Sequence, residues 1–321
     1  MAKKIALQIV CCFLISVALC SQNTNVFSVA KYKDDKIAAI SYTFDDGLKE
    51  HYTLVFPKLK AIGFKATFWI NGSRINKDGH TIVDTARMIW SELKEMSDEG
   101  QEISNHGWAH KNFGRFPLDE IKEDITKNDS AIFANTGIMP ITFCYPNNTK
   151  TKEGVAFASL NRVGTRLEQR SVGGKSTNEN LEKWVDDLIA KRKWGITMTH
   201  GITYGYDHFS NQNILWQHLD KIKALEDKIW VGTFKEVVSY AKERDSLQFN
   251  VSNTKNGFTI VPQLPLDKKL FTETLTGIIY QSNIKKIKIK QGGKKLKHRY
   301  SNNKILFDFN PFGGMIKVAL K

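Results

Sequence analysis

Residues 42–47 read YTFDDG, so two carboxylates, Asp45 and Asp46, stand side by side at the end of an apolar run. Asp-Gly is ordinary turn chemistry, but a turn needs one acid, and adjacent carboxylates repel. Two histidines four residues apart, His106 and His110, lie in SNHGWAH (104–110), and His200 lies in MTHG (198–201). If 106–110 is helical, that spacing puts both rings on one face. Two imidazoles and one carboxylate make a metal site with an open position, as in hydrolytic zinc proteins. A second carboxylate and a third imidazole could then move protons. Taken singly, each feature has a plain explanation: a turn, an exposed histidine pair, a structural histidine. Their joint position at predicted strand ends is what points to chemistry.

Those strands alternate with helices. Apolar runs at 38–44, 64–70, 101–104, 141–145, 162–167, 195–200 and 228–232 read as strands. Between them lie helical stripes, such as Leu181, Trp184, Val185, Leu188 and Ile189. Thr233 with Glu236 three residues on predicts a capping box for the last helix. Such alternation predicts an α/β fold of about seven parallel strands, an open sheet or a barrel, with its chemistry at the carboxyl ends of the strands. After about residue 245 the pattern becomes short alternating runs separated by Gly, Asn, Asp and Pro. This predicts a small all-β, sandwich-like domain over 246–321.

The motifs TFDDG, NHGWAH and MTHG, in this order and on these strands, resemble those of the polysaccharide deacetylases of carbohydrate esterase family 4. The resemblance covers residues 36–245 and includes the closing segment WVGTFKEVVSYAKERD. It implies a distorted (β/α) barrel and a metal-dependent hydrolase that removes acetyl groups from sugars. Carried over by motif, Asp46, His106 and His110 bind a divalent metal, most simply Zn²⁺, with Co²⁺ and Ni²⁺ as alternatives. Asp45 is then the general base and His200 the general acid, and a backbone N–H near Pro146 and Asn147 holds the oxyanion. Trp108 is a candidate for stacking on a sugar ring. The substrate is an acetylated polysaccharide or oligosaccharide, through an amide or an ester. The motifs do not separate the two.

The chain departs from the family at strand four. Many members carry Arg-x-Pro-Tyr there, and the Arg holds the catalytic Asp. Here the residues are CYPN, so Cys144 takes the Arg position and Asn147 the Tyr position. A thiol cannot supply a forked cation. Arg166, at the end of strand five, is the candidate replacement. The departures keep open a second function, a degenerate carbohydrate-binding relative with little or no catalysis. Retention of two Asp and three His argues against it, since a binder has no need of all five.

The 321 residues open on MAKK and an apolar run at 5–19, too short to span a bilayer and placed as in a secretory signal peptide. The expected division is a signal peptide at 1–21, a catalytic domain at 22–245 and the β domain at 246–321. Export to the periplasm, cell envelope or medium follows, with no transmembrane span in the mature chain and Cys20 as an alternative lipoprotein site. Only Cys144, or Cys144 and Cys20, remains after cleavage, so no disulfide framework is expected. The net charge is +14, about +12 without Lys3 and Lys4. Export excludes nucleic acid as a partner. The most basic stretch, KKIKIKQGGKKLKHR at 285–299, suits an anionic glycan or a solvated strand face.

Overall fold

The computed structural model describes residues 26–280 and 286–320. The expected signal peptide and the Cys20 site lie outside the described residues. The first strand, β1 (Phe27–Val29), belongs to the C-terminal sheets. The barrel begins with β2 (Ala38–Ser41) and β3 (Thr43–Asp45), one apolar line interrupted at Tyr42. It continues through α1 (Phe56–Ile62), β4 (Thr67–Ile70), α2 (Trp90–Asp98), β5 (Glu102–Asn105), α3 (Leu118–Thr136), β6 (Thr142–Cys144), α4 (Lys152–Ala158) and β7 (Gly164–Arg166). Then come β8 (Arg170–Ser171), α5 (Asn178–Lys191), β9 (Trp194–Met198), α6 (Asn213–Ala224), β10 (Ile229–Val231) and α7 (Phe234–Ser246).

Every pairing among β2–β10 is parallel, in the orders β3-β4-β5-β6-β7 and β10-β2-β9-β8. The two sheets are joined because the chain beyond β9 continues along β3: the Asp45 N–H donates to the Thr199 carbonyl at 2.9 Å, and the Thr199 N–H to that of Thr43 at 3.1 Å. No ladder joins β7 to β8 among the described residues, so the barrel is distorted there. All four residues of β2 and of β4 are buried, as strands covered on both faces require. Phe44 stacks on Phe68 with ring centroids 5.2 Å apart, inside a core that also takes the apolar stripes of the helices. The short β8 has too few residues to show a pattern and was not foreseen. The capping box of α7 is present: the Glu236 N–H donates to the Thr233 hydroxyl and the Thr233 N–H to the Glu236 carboxylate.

The remainder forms two antiparallel sheets. Its strands are β11 (Gln248–Thr254), β12 (Gly257–Gln263), β13 (Leu275–Tyr280), β14 (Ile287–Gln291), β15 (Lys294–Lys295), β16 (His298–Ser301), β17 (Lys304–Phe309) and β18 (Ile316–Leu320). The orders are β1-β13-β17-β16 and β11-β12-β18-β14-β15, closed over one aromatic and aliphatic core. One expectation is corrected. The sequence assigns everything from residue 22 to the barrel, but β1 pairs with β13, Phe27 lying opposite Ile279. Phe27 is fully buried and packs edge-on against Phe249 at 4.9 Å, so its ring is satisfied in the β core. Tyr240 of α7 joins the same core and donates its hydroxyl to the Ala30 carbonyl at 3.0 Å, which seats the sheets on the last barrel helix.

Candidate metal centre and catalytic site

The chain turns sharply after β3. Asp46 adopts a left-handed conformation (φ +78°), one that Asp tolerates better than most residues, and its N–H donates to the Trp69 carbonyl at 2.9 Å. This kink aims the neighbouring carboxylates differently. Asp45 points into the barrel wall and is buried; Asp46 faces the histidines.

Residues 106–110 are not helical, so the helical route to a shared face does not apply. The rings meet because Gly107 (φ +75°) and His110 (φ +57°) both turn left-handed. A Cβ at residue 107 would lie 2.4 Å from the Asp124 carboxylate. That carboxylate accepts the Ala109 N–H at 2.7 Å, and Asn71 donates to the His106 carbonyl at 2.6 Å. Thus α3 and β4 hold the loop. The His106 and His110 centroids are 4.8 Å apart, and each Nε2 lies 3.7 Å from Asp46 Oδ1. His106 Nδ1 donates to the Cys144 carbonyl at 2.8 Å, which leaves Nε2 with its lone pair toward Asp46. Burial holds both imidazoles below their usual pKa, His110 at about 4, favouring the neutral form that can ligate.

Asp45 sits beside this cluster, its Oδ2 4.0 Å from His106 Nε2 and 3.9 Å from His200 Nε2. Arg166 grips it with a fork: Nη1 to Oδ1 at 2.7 Å and Nη2 to Oδ2 at 2.5 Å. The same Nη1 donates to the Thr43 hydroxyl at 2.6 Å. Burial raises the Asp45 carboxyl, but the guanidinium outweighs it and brings the pKa to about 2. Arg166 and Cys144 are direct partners across β6 and β7, so the cation reaches Asp45 from one strand over. The Cys144 thiol is fully buried, 4.0 Å from Asp45 Oδ2, and burial pushes its pKa well up. Asp45, His106 and Cys144 lie close enough to hold an ion, as do Asp46, His106 and His110. The second set fits better. In the first, the carboxylate is already taken by Arg166 and the thiol stays protonated. In the second, Asp46 Oδ1 is a buried oxygen with no hydrogen-bond partner.

His200 follows β9. His51 Nε2 donates to its carbonyl at 2.8 Å, and Tyr206 packs edge-on against its ring at 5.0 Å. Its Nδ1 is buried without a partner, which matches the absence of a recognisable Asp partner in the sequence. Glu50 accepts the N–H groups of Ile202 and Thr203 and fixes the loop beyond. Asn147 and Asn148 turn left-handed after Pro146, and the N–H groups of Asn148 and Thr149 go to the carbonyls of Tyr145 and Pro146. The N–H of Asn147 has no partner within the chain among the described residues. Asn147, Asn148, His200 and Tyr206 line a cleft of about 310 Å³ with Asp45, Asp46, His106, His110, Tyr145 and Met198. Trp108 is not on its wall. It packs over Gly72, and Lys127 lies 4.7 Å above its ring. Trp69 is core, beneath Arg166. Sequence reading missed His51, Glu50, Thr43 and Asp124, which act through other residues and carry no motif.

Fold and cluster together define a parallel barrel protein with a candidate metal centre at the carboxyl ends of its strands. Residues 32–164 match the family model described as polysaccharide deacetylase. It is 30% identical over 132 residues to the peptidoglycan-N-acetylglucosamine deacetylase PgdA of Listeria monocytogenes, covering 41% of this chain and 26% of that protein. It is 27% identical over 202 residues to the peptidoglycan-N-acetylmuramic acid deacetylase PdaA of Bacillus subtilis, covering 60% and 66%. A Mycobacterium smegmatis structure assigned to the polysaccharide deacetylases superposes with a TM-score of 0.52 at 14% identity, over 68% of this chain and 94% of that one, and shows the same fold.

Proposed function

We propose that this chain is an exported, metal-dependent deacetylase that hydrolyses acetyl groups from a polysaccharide or oligosaccharide. The observation that carries this reading is Asp46 Oδ1, buried, unpartnered and 3.7 Å from two imidazole nitrogens. Asp46, His106 and His110 would hold the cation, and one carboxylate with two imidazoles suits Zn²⁺. When bound, such an ion supplies Lewis acidity, which lowers the pKa of water and polarises a carbonyl.

The chain's own residues do the rest. Asp45 accepts the proton of the attacking water. It stays ionised across the working pH range because Arg166, held in place by the Thr43 hydroxyl, pairs its charge. The Asn147 N–H at the cleft wall donates to the oxygen that gains charge as the acetyl carbonyl is attacked. His200 gives a proton to the departing sugar nitrogen or oxygen, its position set by His51 below and Tyr206 beside it. Tyr206 is 74% exposed, a face available to a sugar ring. Two relatives named as peptidoglycan deacetylases support an N-acetylated hexosamine polymer as the first substrate. They also support action outside the cytoplasm, as does the leader-like run at 1–21. No helix among the described residues is long and apolar enough to cross a membrane. The test is acetate release from peptidoglycan, chitin oligomers and acetylated xylan, with Asp45→Asn as control. No release from any of the three, by protein loaded with metal, would reject the reading.

A further inference from the structure

We propose that the outer face of the sheet β11-β12-β18-β14-β15 is a docking surface for an anionic polysaccharide. Segments 248–263, 286–297 and 316–320, which build this sheet, contain eight lysines and not one Asp or Glu. The strand register turns that composition into a pattern. Lys290 of β14 stands opposite Lys295 of β15 on one side and Lys317 of β18 on the other. Lys317 stands opposite Thr259 of β12, and Thr259 opposite Ser252 of β11. Opposed residues share a face, so one polar rung crosses all five strands, three ammonium groups followed by two hydroxyls. At the usual strand spacing it is about 19 Å long. The reverse face carries Ile260, Ile289 and Val318, all buried in the β core, so the rung faces outward.

Like charges directly opposite each other on a sheet destabilise it. Lys290, Lys295 and Lys317 take part in no ion pair among the described residues, and their sheet supplies no carboxylate. A counter-charge must come from outside. A straight rung suits an extended chain with repeated carboxylate or sulfate groups, the hydroxyl end meeting sugar hydroxyls. A bilayer fits less well. Of the large apolar side chains that are exposed, only Val261 belongs to these five strands, so no wedge is available to insert.

The test reads binding of the full chain without turnover. It compares polygalacturonate, unsubstituted xylan and phosphatidylglycerol vesicles across a salt series. The expected result is retention by polygalacturonate alone, weakening as salt rises. The triple variant Lys290→Gln, Lys295→Gln, Lys317→Gln binds at least about tenfold more weakly with an unchanged melting profile. Equal binding by the triple variant, salt-independent binding, or stronger retention on vesicles than on the polymer overturns the proposal.

Discussion

Arg166 reaches across from β7 to hold Asp45, at the end of β3, through two parallel N–H···O bonds of 2.7 and 2.5 Å. In the resembling family this cation comes from the position that Cys144 occupies here. Cys144 and Arg166 are register partners, so their side chains leave the same face of adjacent strands. The guanidinium has moved sideways by one strand and still meets its carboxylate.

Removing that cation leaves a buried charge uncompensated. Arg166→Ala is expected to lower turnover by about 10²-fold or more and stability by about 3 kcal/mol. Arg166→Lys recovers little of either, because an ammonium cannot fork. The double variant Cys144→Arg, Arg166→Ala, which returns the cation to strand β6, recovers part of the turnover. Acetate release and thermal melting measure the two effects. Wild-type turnover in Arg166→Ala would show that Asp45 does not depend on the fork.

Asp45 and Asp46 are adjacent but separable. Asp45→Asn should abolish turnover while metal remains bound. Asp46→Asn and His106→Ala should lose both. Metal content by elemental analysis, set beside turnover, distinguishes the cases. Full activity in Asp45→Asn would dismiss it as the base.

The buried thiol should be inert. Cys144 resists iodoacetamide at pH 8 in the folded protein and reacts only when unfolded, since burial keeps it protonated. Cys144→Ala retains the metal. Rapid labelling of the native chain, or loss of metal in the alanine variant, would instead make the thiol a ligand.

Two buried histidines should draw stability down in acid, against Glu243 and Glu273, whose carboxyls burial raises to about 7 and which act in the opposite direction. His51 and His218 are buried with pKa values pushed down to about 4, by burial first. Unfolding returns them to about 6.5, so between pH 6.5 and 4 the unfolded chain binds more protons than the folded one. Their contribution to stability is full above this window and declines through it as pH drops, at about 1.4 kcal/mol per pH unit for each histidine. Denaturant melts at several pH values give the slope, and replacing both residues with Gln should remove their share of it, while His106 and His110 keep theirs. An unchanged slope would place the acid sensitivity elsewhere.

The barrel was legible because seven apolar runs alternate with helical stripes, a pattern with few folded solutions. Asp45, Asp46, His106, His110 and His200 could be placed because each lies at a strand end or within five residues after one. Other parts were opaque for physical reasons. The convergence of His106 and His110 depends on left-handed turns at 107 and 110, not on a helix, and a four-residue spacing looks the same in either case. Trp108, between His106 and His110, invited a substrate role, yet a residue of the same loop can point away from the cleft. His51 and Glu50 hold the His200 loop from about 150 positions earlier in the chain, a separation that no local pattern encodes.

The strand β1 has a bearing on how the protein is made. Phe27 is near the start of the described chain, and its partners on β13 and β17 are synthesised about 250 residues or more later. Long-range pairing of this kind is slow to form. Until those partners emerge, an aromatic strand with both edges bare is exposed to other chains, an aggregation risk that a folding chaperone would reduce. A shortened version ending at residue 245 would carry that exposed strand permanently. The barrel is therefore better isolated by removing β1 together with the C-terminal sheets.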